Sequence, residues 1–350
     1  MRPSLLALVL AALLAPLAPA APPVLLPAAS ASVEDGPHVI WEGAQARVLR
    51  WRQGKVDVAD LPPSGLLAVD GLPPLRLDPA PPAPEAAVFP AVRALAAVSD
   101  IHGKRDALVA LLKAQGILDA RGAWAFGAGH LVVAGDTVDY GDQVTEALWL
   151  LRSLAQQARA AGGAVHVLIG NHEFMDMRGD LRYVVPKYKA LPLSIPYLTG
   201  PDTEFGRWFR SLPAMIRIGD TLFTHGGPSA AFAAAYPGVE AVNAQFRKEL
   251  KEGPGPVTGR YGPQWYRGLV PGGSAKDATA AEVDAVLAAY GAARVVVGHT
   301  TLDRITAFHG GKVHVIDAGL KDGKPGELWL QIDGRRWRGT ADGKRSPLDP

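Results

Sequence analysis

The sequence predicts an α/β fold in which a largely parallel sheet carries a polar site at the carboxyl ends of its strands. After residue 90, continuous apolar runs alternate with helical patterns, which is typical of buried parallel strands joined by helices. Five short polar blocks each follow such an apolar run. Before them, residues 38–60 alternate apolar and polar residues, which predicts short antiparallel strands.

The first 20 residues have the pattern of a signal peptide. Arg2 precedes an apolar run, Leu5 to Leu14, and Ala18-Pro19-Ala20 ends it with small residues, so we expect cleavage near Ala20. Pro16 and Pro19 follow this run closely and leave it shorter than the roughly 20 apolar residues that a membrane span needs. An uncleaved anchor is the alternative. We expect a bacterial periplasmic or secreted protein with no stable membrane anchor after cleavage.

Composition excludes several other classes. The chain of 350 residues has no cysteine and a net charge of +2. It therefore has no disulfides or thiolate metal ligands, and we expect no nucleic-acid partner. We divide it into a signal peptide (1–20), a disordered stretch (21–36), a short N-terminal β segment with a Pro-rich linker (37–92), the main domain (93–338) and a C-terminal tail (339–350).

The main domain begins with a βαβαβ pattern. Its predicted elements are strand Ala94 to Val98, helix Lys104 to Gln115, strand His130 to Ala134, helix Gln143 to Ala161 and strand Ala164 to Ile169. Residues 181–212, which include Pro192 and Pro196, predict an irregular or helical insertion over the site. A hairpin at 215–224, a helix at 281–290 and strands at 293–297, 304–308, 313–316 and 327–332 follow.

The five polar blocks carry metal-ligand side chains. They are S-D-I-H-G at 99–103, G-D-T-V-D at 135–139, G-N-H-E at 170–173, T-H-G-G at 224–227 and G-H-T at 298–300. Loops at the carboxyl edge of an open sheet can converge on one point. The candidate ligands are Asp100, His102, Asp136, Asn171, His225 and His299. Carboxylate, amide and imidazole donors suit Mn, Fe or Zn and do not choose among them, so we expect a two-metal hydrolytic centre.

One histidine in these blocks is not needed as a ligand. His172 directly follows Asn171. Such a histidine beside two metals can act as a general acid in phosphoryl transfer. Taken singly, each block is common in unrelated loops, and it is the series of five at strand ends that favours one shared site.

The blocks resemble those of the calcineurin-like metallophosphoesterases, and most of all the phosphoprotein-phosphatase type. That type has G-D-x-H-G, G-D-x-V-D-R-G, G-N-H-E, H-G-G and a late His. The stretch G-N-H-E-F-M-D-M-R-G-D-L-R-Y-V at 170–184 resembles the bacterial Shewanella-like phosphatases in particular. The resemblance covers roughly residues 94–320 and implies a metallophosphoesterase-like β-sandwich around the βαβαβ core, flanked by helices.

The resemblance also implies roles for single residues. Asp100, His102 and Asp136 would bind the first metal, and Asp136, Asn171, His225 and His299 the second, with Asp136 bridging. A metal-bridging hydroxide would attack phosphorus, and His172, oriented by Asp139, would protonate the leaving oxygen. Arg267 would bind the substrate phosphate, although a structural arginine stacked on Trp265 or Tyr266 is the alternative.

The sequence departs from the family at Tyr140. The family usually has an arginine there that clamps phosphate, and tyrosine offers a hydrogen bond without a charge. Either another cation (Arg182, Arg178 or Lys104) replaces it, or phosphate is bound more weakly. Tyr140 and Arg182 are therefore expected substrate-binding residues beside Arg267.

These observations predict a phosphatase. The expected reaction is hydrolysis of phosphate monoesters, in phosphoproteins of the serine/threonine or tyrosine type or in small phosphate esters. The alternative is a phosphodiesterase or nucleotide hydrolase on the same centre, because diesters carry less charge and tolerate Tyr140. A non-catalytic binding scaffold is the third possibility, and the complete ligand set disfavours it.

Overall fold

The protein is described here by a computed structural model that covers residues 33–273 and 275–348. The predicted signal peptide at 1–20 lies outside the described residues. Within the described ranges, no helix has the length and apolar character that a membrane crossing requires.

Seventeen strands and nine α-helices make up the described chain. The strands are β1 (Asp35–Glu42), β2 (Gln45–Arg52), β3 (Lys55–Asp60), β4 (Leu66–Leu67), β5 (Leu75–Arg76), β6 (Val88–Phe89), β7 (Ala94–Val98), β8 (His130–Val133), β9 (Ala164–Val167), β10 (Met215–Ile218), β11 (Thr221–Thr224), β12 (Arg294–Val297), β13 (Thr306–Phe308), β14 (Val313–Val315), β15 (Glu327–Ile332), β16 (Arg335–Thr340) and β17 (Arg345–Pro347). The helices are α1 (Arg105–Ala114), α2 (Val144–Ala160), α3 (Asn171–Arg178), α4 (Pro186–Lys189), α5 (Ile195–Leu198), α6 (Glu204–Ser211), α7 (Ala230–Ala235), α8 (Val239–Glu252) and α9 (Ala280–Ala289).

Two six-stranded sheets pack face to face around the main core. One has the order β17-β16-β15-β7-β8-β9 and the other β13-β14-β12-β11-β10-β6. Trp329 on the first sheet joins them, because its ring contacts Phe223 at 5.8 Å and its indole N–H donates to His314 Nδ1 at 3.0 Å. All three side chains are buried. The predicted sandwich is confirmed.

The predicted βαβαβ unit is also confirmed. β7, β8 and β9 pair in parallel, and α1 and α2 are the crossovers. Their buried apolar residues, such as Leu111 and Trp149, face the core. β11, β12 and β14 pair in parallel in the second sheet. The carboxyl ends of β7, β8, β9, β11 and β12 each lead into one of the polar blocks.

A third sheet, β1-β2-β3, is antiparallel as predicted. It packs on the insertion after residue 180 through Trp51, Tyr188 and Leu198, which share one buried cluster. The predicted disordered stretch at 21–36 lies outside the described residues up to position 32, and the prediction is wrong at its end, since β1 begins at Asp35. That carboxylate is buried and paired with His38 Nε2 at 2.6 Å, which fixes the start of the strand.

Two other predicted boundaries differ from the structure. Within the predicted N-terminal segment at 37–92, Ala87 is buried and Val88–Phe89 adds a parallel strand beside β10, so pairing with the main domain begins before residue 93. The predicted C-terminal tail contains β17, which pairs with β16. Arg345 holds it in place by donating to the side-chain and backbone oxygens of Gln115, both at 2.9 Å.

Candidate active site

The loops after β7 and β8 are tied to each other at the base of the site. The backbone N–H of Asp100 donates to Gly135 O at 3.1 Å, and that of His102 donates to Asp136 O at 3.0 Å. Asp100, His102 and Asp136 have φ values of +52°, +47° and +56°. This left-handed conformation is uncommon for residues other than glycine, and it turns the side chains back over the strand ends.

Asp136 lies at the centre of the ligand cluster. Its Oδ1 accepts the backbone N–H of His172 at 3.0 Å. Its Oδ2 lies 3.1 Å from His225 Nε2 and 3.7 Å from His102 Nε2. The Asp136 carboxylate therefore lies between His225 and His102, which is the position that a bridging ligand requires.

The histidines are oriented by backbone carbonyls. His102 Nδ1 bonds to Val138 O at 2.7 Å, and His225 Nδ1 bonds to Ala134 O at 2.8 Å. In each ring, Nδ1 is thereby the donor and Nε2 faces the cluster. Hydrogen bonds of this kind fix the ring orientation and tautomer of metal-ligating histidines.

Several acceptor atoms converge on His225. Its Nε2 lies 2.9 Å from Asn171 Oδ1, 3.1 Å from His299 Nδ1 and 3.1 Å from Asp136 Oδ2. One ring nitrogen can give a proton to only one of these atoms. A cation between them would satisfy all of them, so the donor set fits divalent metal ions. Two overlapping clusters share Asp136: His102 with His172, and His225 with His299.

Burial and neighbouring charges shift the pKa values of two of the predicted ligands. Burial, with the nearby carboxylates of Asp317 and Asp136, raises the pKa of Asp100 to about 8. Burial alone would lower the pKa of His225, but the Asp136 carboxylate outweighs it and raises that pKa to about 9. Metal ligands must be deprotonated. Metal binding would therefore displace protons that this buried cluster holds without a metal.

Asp100, which follows β7, and His299, which follows β12, complete the cluster. Asp100 Oδ2 accepts the backbone N–H of His299 at 3.0 Å, and Asp100 Oδ1 lies 3.8 Å from His102 Nε2. All six predicted ligands are buried. The structure thus brings together Asp100, His102, Asp136, Asn171, His225 and His299.

His172 lies beside this cluster and is paired with Asp139. His172 Nδ1 lies 2.6 Å from Asp139 Oδ2, and its Nε2 lies 3.8 Å from Asp136 Oδ2. Burial would lower the pKa of His172, but Asp136 and Asp139 outweigh it and raise that pKa. Although its position would allow ligation, the pair with Asp139 favours a protonated imidazole.

Glu173 is a residue of the site that the sequence reasoning missed. Its carboxylate accepts backbone N–H groups from Asp136 at 3.1 Å, Thr137 at 2.6 Å and Gly170 at 2.8 Å. It therefore holds the loop after β8 against the start of α3. Its place three residues after Gly170, at the start of a helix, matches half of a capping box, and that signal could have identified it.

The cluster forms the floor of a cavity of about 150 Å³. Tyr140, Tyr183 and Trp265 line it together with Arg267 and Lys321. Tyr140 and Tyr183 stack with ring centroids 5.2 Å apart. A larger groove of about 1040 Å³ shares Trp265 and Arg267 with this cavity. A small deep cavity that adjoins a wide groove can hold a compact group attached to a larger molecule.

Of the three predicted substrate-binding residues, two line the cavity and one does not. Tyr140 and Arg267 line the cavity, and Arg267 donates to the carbonyl oxygen of His299. Arg182 does not line it: its exposed side chain bonds to Asp180 at 2.7 and 2.8 Å. As a correction, the structure places Arg182 beside the cavity and not in its lining: it pairs with the partly exposed Asp180, and its guanidinium lies 5.9 Å from the ring centroid of Tyr183.

Comparison with known proteins agrees with this geometry. Residues 94–302 match the model of the calcineurin-like phosphoesterases. The chain belongs to this family. It is therefore a metallophosphoesterase of the phosphatase kind, and its His/Asp clusters indicate divalent metals.

Among solved structures, the cold-active protein-tyrosine phosphatase of a psychrophile Shewanella sp. is 35% identical, with a TM-score of 0.84 over 90% of this chain and 99% of that one. Shewanella-like protein phosphatase 2 of Arabidopsis thaliana is 26% identical, over 73% of this chain and 78% of its own length. Shewanella-like protein phosphatase 1 of Plasmodium berghei is 24% identical, over 68% and 71%.

Proposed function

We propose that this phosphatase hydrolyses phosphate monoesters, with phosphotyrosine in proteins or peptides as its preferred substrate class. The observation that carries the proposal is the His172–Asp139 pair beside the buried ligand cluster, at the floor of a cavity with aromatic walls. The choice of ester is supported by its Shewanella relative, a protein-tyrosine phosphatase that has the same fold over nearly its whole length.

Two divalent metal ions would complete the site, and Mn is our first candidate. Asp100, His102 and Asp136 would hold one, and Asp136, Asn171, His225 and His299 the other. Bound metals of this kind neutralise phosphoryl oxygens and make water a nucleophile near neutral pH.

The side chains of the chain supply the remaining functions. His172 is held with Nδ1 toward Asp139, so Nε2 carries the proton given to the leaving oxygen. Arg267 is half-buried at the cavity wall, where its charge can bind phosphoryl oxygens. Tyr140 and Tyr183 form an aromatic wall against which the ring of a phenolic leaving group can pack.

A second candidate is phosphodiester hydrolysis at the same centre. Tyr140 favours it, because an uncharged side chain at that position supplies no positive charge for a doubly charged phosphoryl group. A diester, which carries one negative charge, depends less on such a charge. The two candidates differ in the charge of the group that the cavity must bind.

A substrate panel tests the proposal. Protein loaded with Mn would be assayed on a phosphotyrosine peptide, the same peptide with phosphoserine, and a bis-aryl phosphodiester. We expect kcat/KM to be highest on phosphotyrosine. Faster turnover of the diester would overturn the monoester assignment, and faster turnover of phosphoserine would overturn the preference for phosphotyrosine.

We also propose that the protein is exported. The support is the apolar segment after Arg2 and the small residues before Ala21. Expression of the full chain in a bacterial host, followed by N-terminal sequencing of the periplasmic fraction, should give Ala21 as the first residue. An intact Met1 in the cytoplasmic fraction would contradict export.

A further inference from the structure

We propose that Lys321 is a phosphate-binding residue of this site, supplying the positive charge that Tyr140 lacks. This rests on the proposed phosphatase function and names a part of the substrate-binding machinery that the sequence motifs do not contain. The sequence offered Arg182, Arg178 and Lys104 as replacements for the missing arginine. In the part of the chain that the structure describes, none of the three lines the cavity, whereas Lys321 does.

Lys321 reaches the cavity from the loop between β14 and β15. It is the middle residue of a short 3₁₀ helix, Leu320–Asp322. Its ammonium group donates to the hydroxyl of Thr301, which also lines the cavity, and lies 3.8 Å from Asp317 Oδ2. About a fifth of the side chain is exposed, so the charge is partly desolvated yet accessible.

Asp317 holds the side chain of Lys321 in one position. Its buried carboxylate accepts the Thr301 hydroxyl at 2.5 Å and the backbone N–H of Gly319 at 3.0 Å. These bonds hold the carboxylate beside Lys321. An ammonium group has three donors, and one is used by Thr301. Asp317 Oδ2 and Asp322 Oδ2 each lie 3.8 Å from Nζ, which is beyond hydrogen-bond distance, so the other two donors can turn to a phosphoryl oxygen.

The charge of the substrate gives the lysine its role. A phosphate monoester carries close to two negative charges near neutral pH, and diesters carry one. Among the described residues, the lysine and arginine side chains that line the cavity are Arg267 and Lys321. Arg267 already donates to His299 O, so part of its hydrogen-bonding capacity is occupied. Lys321 is therefore the second cation available to a dianionic group.

The test compares three variants. Lys321→Met removes the charge and keeps the length of the side chain. Lys321→Arg keeps the charge. Lys324→Met is the matched control, because Lys324 belongs to the same loop but pairs with the exposed Asp303 at 2.8 Å and does not line the cavity.

The first measurement is binding of inorganic phosphate to the Mn-loaded proteins by titration calorimetry, with metal content determined in parallel. Loss of one charged hydrogen bond corresponds to a weakening of about 10- to 100-fold. We expect this for Lys321→Met, near-normal binding for Lys321→Arg, and no change for Lys324→Met. Unchanged phosphate affinity in Lys321→Met, or a lowered metal content in that variant, would overturn the proposal.

The second measurement is kinetic. In Lys321→Met, kcat/KM for an aryl phosphate monoester should fall by a similar factor of about 10 to 100. The bis-aryl phosphodiester should lose less, because it carries less charge. An equal loss on both esters would contradict a charge-specific role. Absence of turnover in the wild-type protein would refute the proposed function but leave the phosphate-binding test in force.

Discussion

Asp136 is the residue on which the whole cluster depends, because its Oδ2 faces both groups of histidines. Asp136→Asn replaces a charged oxygen with an amide and should remove at least one of the two expected metal ions. Elemental analysis of the purified protein measures this. Asp303→Asn, at an exposed surface position, is the control and should load normally. Full occupancy in Asp136→Asn would rule out the bridging role.

His172 should be separable from metal binding. In His172→Ala we expect both metals to remain and kcat to fall by about 10²- to 10⁴-fold, since the leaving oxygen loses its proton donor. His130→Ala serves as the control, because His130 lies at the opposite end of its strand from the cluster. Steady-state kinetics with an aryl phosphate measures the effect. Near-normal kcat in His172→Ala would exclude a general acid at this position.

At the residue scale, what could be predicted was what the motifs contain. The six ligands, His172 and Asp139 lie in short blocks whose pattern is visible in the sequence, and the structure brings them together. Lys321 could not be found in this way. Its side chain is held at the cavity by contacts with residues 301 and 317, and no local sequence pattern predicts those contacts.

Close packing of the backbone at the strand ends helps to fix the positions of the ligands. Gly170 follows β9 and lies so close to the next loop that an added Cβ would be 2.1 Å from Asp136 Oδ1 and 2.6 Å from the Asp136 amide nitrogen. Gly170→Ala should therefore displace Asp136, and we expect more than about a tenfold loss of activity together with reduced metal content.

Gly163 provides the matched control for that variant. It lies just before the same strand, at the other end, where a Cβ would be 2.4 Å from Gly129 O. Gly163→Ala should lower the melting temperature without a selective loss of metal. If the two variants lose metal to the same extent, the effect of Gly170→Ala is one of general stability and not of the site.

Elements with a continuous apolar core were predicted well, and those defined by tertiary pairing were not. β7, β8 and β9 lie within the predicted strands because their residues are buried on both faces. β17 contains a proline and two polar residues, so its own pattern gives no strand signal. It exists because β16 offers a free edge and Gln115 binds Arg345.

The stability of the whole molecule should depend on pH through Glu85. Burial raises the pKa of Glu85 to about 7, although Arg152 and Arg159 oppose the shift. The folded state thus holds its proton more tightly than the unfolded state, whose pKa is about 4.5. The free energy of unfolding therefore decreases as the pH rises from about 4.5 to 7, and the loss is complete above that range.

Replacement of the Glu85 carboxyl by an uncharged amide should remove the loss of stability that its ionisation causes. Glu85→Gln should raise the free energy of unfolding at pH 8 by about 1–3 kcal/mol and change little at pH 4.5. Denaturant unfolding at the two pH values measures the difference. Glu240→Gln, at an exposed position of α8, is the control and should show no gain in the free energy of unfolding at pH 8. The same gain at both pH values would show that the effect does not arise from ionisation.

The pairing of β15 with β7 has a consequence for how the molecule is made. Trp329 pairs with Ala97, so the strand that leads to Asp100 obtains its second neighbour from the far end of the chain. Contacts between such distant segments close late in folding. A chain still being synthesised lacks the strand that completes this sheet. The catalytic centre should therefore become functional only when the C-terminal strands have joined the fold.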